Sequence, residues 1–220
     1  MMKIRSILAT TAVLAVLLTA CAGGSSVGAG SPSGGISTSP GSTTHSPTSH
    51  THSPVPVESP VPPETHPPGD IPDSSKFVPY RSKAGGITIS VPEGWSRTNT
   101  KNSFTFADKL NTIVVTWQAA PAAPTVASAN SSEVRALRKS ERAFRLGSVK
   151  PMSLPAGKGV VISYQANSDP NAVTGKQYRL DVLRYELFHN GMEIAVGLRS
   201  PVGADNVDPW RIVTQSIRWS

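Results

Sequence analysis

The 220-residue chain has one cysteine, Cys21, and only 6% of its residues are aromatic. A single thiol cannot close an intramolecular disulfide. With no cysteine after position 21, the rest of the chain also lacks a thiolate zinc cluster and a cysteine nucleophile. Histidine is nearly as scarce: His45, His50, His52 and His66 lie in one stretch, which leaves His189 alone further on. Over residues 77–220 there is no Gly-x-Ser-x-Gly, and Gly157-Lys158-Gly159 lacks the spacing and the Ser/Thr of a phosphate-binding loop. The apolar stretch Ile7–Ala20 falls short of the roughly 20 residues that a spanning helix needs. Acidic residues are outnumbered, 14 against 21 basic ones, which gives a net charge of +7.

What is present begins with the first 21 residues. Lys3 and Arg5 precede the apolar stretch, and small residues lead into the cysteine, as in an export signal. Leu18-Thr19-Ala20-Cys21 resembles the lipobox of bacterial lipoproteins. That resemblance implies cleavage after Ala20 and acylation of the Cys21 thiol. Two acyl chains suffice for stable anchoring, since each buried methylene contributes about 0.8 kcal/mol. Lipidation would also consume a thiol that an exported protein would otherwise carry unpaired. Residues 1–20 are therefore expected to be a leader, and Cys21 a lipid attachment site on the outer face of a bacterial cell membrane.

Residues 21–76 are dominated by Gly, Ser, Thr and Pro, as in SPSGGISTSPGSTTHSPTSH. Isolated apolar residues cannot offset the entropy of ordering such a segment, so a disordered tether without helix or strand is expected. Its four histidines lack the fixed geometry and supporting contacts that a metal site requires, so no metal is expected there.

Residues 77–220 are long enough for one folded domain. Ile87, Ile89 and Val91 alternate up to Pro92-Glu93-Gly94, and Phe104 and Phe106 alternate before Asp108-Lys109-Leu110-Asn111, a hairpin loop. Ile113, Val115 and Trp117 form the return strand. Asn130 to Glu133 has the form of a capping box, which predicts a helix to about Leu146, stopped by Gly147, with Val134, Leu137 and Phe144 inward. Val160, Ile162, Tyr164 and Ala166 line one side of the next strand. The apolar phase then shifts between Val182 and Leu183, which predicts either a bulge or a strand covered on both faces. Asn190-Gly191 marks a tight hairpin. Asp205 or Asp208 is the expected cap of a short helix carrying Pro209, and Ile217 and Trp219 close the chain as a strand. The order predicts an α+β domain, an antiparallel sheet flanked by helices.

The stretch Ile89 to Trp95, the Leu154-Pro155-Ala156-Gly157 turn, the Asn190-Gly191 hairpin and the ending from Asp208 to Trp219 resemble actinobacterial lipoproteins of the LpqN type. The resemblance covers most of 77–220. It implies a Mog1/PsbP-like α/β/α sandwich and a binding or accessory role, and it carries no catalytic residues with it.

Two groups of side chains invite a functional reading. Glu186 and Glu193 flank a hairpin, where both are expected to face water. Arg135, Arg138, Lys139, Arg142 and Arg145 would share one exposed sector if the helix ran to Leu146. Such a stripe suits an anionic lipid, a wall polymer or an acidic protein, and residues 77–220 carry about eight more basic than acidic side chains. Nucleic acid is excluded by an exported location and by the lack of a reading motif. The chain is thus expected to be a non-catalytic, membrane-anchored envelope protein that binds a protein partner or an envelope ligand such as a lipid or glycolipid, without a cofactor. The competing expectation is a hydrolase acting on cell-wall material. It would require convergent titrating groups in one pocket.

Overall fold

The computed structural model describes residues 58–66 and 68–220, all within the unit Ser53–Ser220. The leader, Cys21, His45, His50, His52 and most of the tether lie outside the described residues. His66 is exposed, and no helix among the described residues is long and apolar enough to cross a membrane.

Alternation builds the first sheet. Strand β1 (Phe77–Ser82) pairs antiparallel with β2 (Ile87–Pro92), in which Ile87, Ile89 and Val91 are buried. The second sheet begins with β3 (Ser96–Asn99), β4 (Ser103–Asp108) and β5 (Asn111–Ala119). Lys109 sits at φ 52 in the tight turn joining the last two, as the Asp108–Asn111 pairing requires. Two short helices follow, α1 (Val126–Ser131) and α2 (Glu133–Ser140). Then come β6 (Arg145–Leu154), β7 (Gly157–Asn167), β8 (Arg179–His189) and β9 (Met192–Pro201). Asn190 and Gly191, both at positive φ, make the expected two-residue hairpin between the last pair. Helix α3 (Val207–Gln215) precedes β10 (Arg218–Trp219), which pairs with β2.

The three-stranded sheet has the order β1-β2-β10 and the seven-stranded sheet the order β3-β4-β5-β9-β8-β7-β6, antiparallel throughout. The domain is therefore α+β, with antiparallel sheets and few helices, as expected. Two cores lie on opposite faces of the large sheet. On one, Ala129, Val134 and Leu137 of α1 and α2 pack on Val160, Ile162, Tyr164, Ala166, Leu180 and Val182. On the other, the small sheet and α3 pack on Phe104, Ile113, Val115, Leu187, Ile194, Val196 and Leu198. Each fully buried aliphatic or aromatic side chain contributes about 1.5–3 kcal/mol. Tyr80 adds edge-on contacts to Phe104 and Phe106, with ring centres 4.8 and 5.0 Å away. The phase shift in β8 resolves as a strand covered on both faces: its ladders with β7 and β9 run without a slip, and the bulge lies in β6, between Leu146 and Ser148.

Three expectations need correction. The helix does not reach Leu146. The capping box is Thr125 with Ser128, α2 ends at Ser140, and Glu141 is already extended. Tertiary pairing ends it: the Glu141 carboxylate is held by Arg199 and by Tyr164, and Arg145 pairs with Gln165 in the sheet. Neither Asp205 nor Asp208 caps α3, whose N-cap is Asn206, and that side chain is spent elsewhere. Finally, residues 58–66 and 68–76 have no helix or strand but do lie against the domain. Asn167 holds Glu58, Ser59 and Val61, while Asn206 and Asn111 hold Gly69 and Ile71, and Ile71 is buried. Counting apolar residues alone missed these polar anchors.

Candidate functional site

An open groove of about 960 Å³ lies between α3 and the large sheet, on the part of that sheet face that the small sheet does not reach. Alternation in β7 and β8 sends Ser163 and Gln165, and then Asp181, Leu183 and Tyr185, to this side. Leu198 and Ser200 of β9 extend the floor, and Trp210 and Thr214 of α3 form the opposite wall. Trp210 packs edge-on against Trp95, with ring centres 6.3 Å apart. Leu154, Leu183, Tyr185, Leu198 and Trp210 make much of the lining apolar. Arg145 and Arg211 supply positive charge, and Arg211 is bound to Asp208 at 3.0 Å. Burial pushes the Tyr185 hydroxyl above its usual pKa. Gln165 Nε2 donates to Asp181 Oδ1 at 2.9 Å, and Ser163 and Ser200 add further polar groups to the floor.

The basic stripe is divided. Arg135, Arg138 and Lys139 remain exposed on α2, and the Arg138 guanidinium stacks 5.3 Å from the centre of the Phe144 ring. Arg142 leaves the helix and pairs with Glu58 at 2.9 Å, while Arg145 is in β6 at the groove. These five residues do not form one surface.

Glu186 is the residue whose environment the sequence misjudged. It is fully buried at 0% exposure, and Glu193 is half-buried. Arg184 Nε contacts Glu186 Oε1 at 2.9 Å and its Nη2 reaches Glu133 Oε2 at 3.2 Å, leaving Glu186 Oε2 without a partner among the described residues. Burial pushes the Glu186 carboxyl up to about 7 against the pull of Arg184, and burial together with the Glu133 charge raises Glu193. Gly159 makes this packing possible, because a side chain there would begin 2.0 Å from the Glu186 carbonyl oxygen. The signal was available: Glu186 shares a strand face with Leu180 and Val182, which lie under the helices.

A third cluster joins Tyr164, Glu141 and Arg199, where Arg199 clasps Glu141 with both terminal nitrogens and the tyrosine hydroxyl donates to the same carboxylate at 3.0 Å. It fastens the end of α2 to the sheet. His189 is exposed beside its turn and stacks on Trp219 at 5.1 Å. Among the described residues no group of three or more His, Cys, Asp or Glu converges as metal ligands do.

No family model and no curated protein matches the chain in sequence. Among solved structures it is similar to the cyanobacterial PsbP of Synechocystis sp. PCC 6803, with 14% identity over 69% of this chain and 98% of that one and a TM-score of 0.49. Mog1p of Saccharomyces cerevisiae, described as Ran-binding, is 7% identical over 66% of this chain and 96% of its own, with a TM-score of 0.43. LpqN of Mycobacterium tuberculosis, described as involved in cell envelope biogenesis, is 11% identical over 66% and 91%, with a TM-score of 0.40. At these scores the strand order and layers described above, rather than the likenesses, carry the fold.

Proposed function

We propose that the chain is a lipoprotein of the bacterial cell envelope, anchored through acyl chains on Cys21, whose domain binds one amphipathic envelope ligand in the groove beside α3 without transforming it. The observation that carries this reading is the groove itself: about 960 Å³, with Leu154, Leu183, Tyr185, Leu198 and Trp210 to take an acyl chain and the Arg145 and Arg211 guanidiniums at its margin for an anionic or hydroxyl-rich head. The lipobox context of Cys21 supports the envelope location, and the described relation of LpqN to envelope biogenesis agrees with it. A protein docked through the basic side chains of α2 is less well supported, because the five-residue stripe is divided between two elements and a turn.

The test is organic extraction of the protein purified from membranes, followed by mass spectrometry of the extract. A defined amphiphile should accompany the wild type and be lost from Gln165→Trp, which fills the floor of the groove. Equal recovery from both proteins, or none from the wild type, would remove the proposal. Turnover of the recovered amphiphile by the purified protein would replace binding with hydrolysis.

A further inference from the structure

A second cavity of about 400 Å³ lies on the opposite face of the sheet from the groove, bounded by Glu186 and Glu193, by Ser128, Ser132 and Glu133, and by the segment from Gln118 to Pro124. Its two sides differ in chemistry. One carries three carboxylates against the single guanidinium of Arg184, which is committed to Glu186 and Glu133. The other is Ala120, Pro121, Ala122, Ala123 and Pro124, with nothing polar beyond the backbone. The Glu186 carboxylate borders this space with its side chain 1% exposed and Oε2 unpartnered among the described residues. A donor that reached this oxygen on entering the cavity would satisfy it.

We infer that this cavity binds a primary alkylammonium group, with its charged head on Glu186 Oε2 and Glu193 and its aliphatic stem along the Ala120–Pro124 wall. The acceptors belong to different carboxylates, Glu186 on β8 and Glu193 on β9, the latter also within reach of the Gln118 side chain. That arrangement suits the diverging donors of an ammonium better than the flat fork of a guanidinium. The carboxylates do not converge as metal ligands do, which disfavours a bare divalent ion. The apolar wall selects a cation on a hydrocarbon stem over a fully hydrated one. Such a group occurs in a free aliphatic diamine or as a lysyl side chain on a peptide. The charged groups facing the site are Glu133 from α2, Arg184 from β8 and Glu193 from β9, while β5 and α1 contribute the uncharged Gln118 and Ser128. Because Glu186 sits near neutrality, affinity should rise with pH up to about 7, where the carboxylate forms, and level off above it.

The experiment is calorimetric titration of the full chain with 1,5-diaminopentane in one arm and Nα-acetyl-lysine methylamide in the other. Saturable binding is expected in at least one arm, and the stronger arm identifies the source. Glu186→Gln should weaken it by about tenfold or more, whereas Glu93→Gln, on an exposed turn, should leave it unchanged. No saturation by about 10 mM of either probe, or equal binding by Glu186→Gln, would overturn the inference. Should that variant fail to fold, amide resonances of the wild type decide. Shifts at the Gln118 side chain and at Ala120, Ala122 and Ala123 on adding 1,5-diaminopentane are expected, and their absence would refute the site.

Discussion

At the scale of single residues, Glu186 governs the pH response. Its carboxyl titrates near 7 in the folded protein against an ordinary value of 4.5, so between those values the folded state holds the proton more tightly than the unfolded chain. Stability therefore falls as pH rises through that window and levels off above it, where a buried carboxylate must be carried. Glu58 works in the other direction: its hydrogen bonds from Asn167 and Gln177 hold its carboxyl below the usual range, so its contribution is lost on acidification. Comparing wild type with Glu186→Gln isolates the first effect. The variant should be more stable at about pH 8, by an amount of order 3 kcal/mol, and the difference should shrink towards pH 4. Denaturant melts at several pH values measure it, and a difference that does not change with pH would show that the Glu186 carboxyl titrates alike in the folded and unfolded chain. The sequence allowed this residue to be placed: two positions beyond Arg184 and four beyond Val182, it belongs to the helix-covered face. What it did not reveal was that α1 would lie over that end of the strand.

At the scale of elements, the alternating strands and both tight turns were legible because their period and turn chemistry are local. The end of α2 was not, because distant partners decide it. Val134 and Leu137 point inward as their spacing predicted, yet Glu141 is drawn to Arg199, 58 residues away, and the chain turns out through Ala143 at φ 46. An alanine in that conformation is strained by about 1–2 kcal/mol. After the extra unfolded-state freedom of glycine is subtracted, Ala143→Gly should stabilise the domain by about 0.5–1 kcal/mol, read as a higher melting temperature. The strap from residue 58 is the other nonlocal feature. Asn206 is 2% exposed and satisfies Ile71 N at 2.7 Å, Gly69 O at 2.9 Å and Asn111 Oδ1 at 3.1 Å. Asn206→Ala should cost about 2–3 kcal/mol, since it strands buried partners, and should expose residues 58–76 to limited proteolysis. An unchanged cleavage pattern would mean that the other anchors, Asn111 on Gly69 and Asn167 and Arg142 at Glu58, suffice to hold the strap.

At the scale of the whole molecule, the seven-stranded sheet consists of two runs of neighbouring antiparallel strands, β3-β4-β5 and β9-β8-β7-β6, joined only where β5 meets β9. Within each run every pairing is between consecutive strands, while the seam unites residues about 80 positions apart, such as Val115 with Val196. The core shared by the small sheet and α3 depends on the seam, because it draws on Phe104 and Ile113 from one run and on Leu187, Ile194 and Leu198 from the other. No disulfide supports it, since residues 58–220 contain no cysteine. The domain should therefore unfold as one cooperative unit, with tryptophan fluorescence and far-ultraviolet dichroism reporting the same midpoint and reducing agent shifting neither. Val115 and Val196 are both fully buried at 0% exposure, so Val196→Ala should lower stability by about 2 kcal/mol and move the midpoint without changing the denaturant slope. Separate transitions for the two probes, or a variant with a shallower slope, would mean that each run of strands holds together by itself and that the seam is a docking surface instead of the centre of the fold.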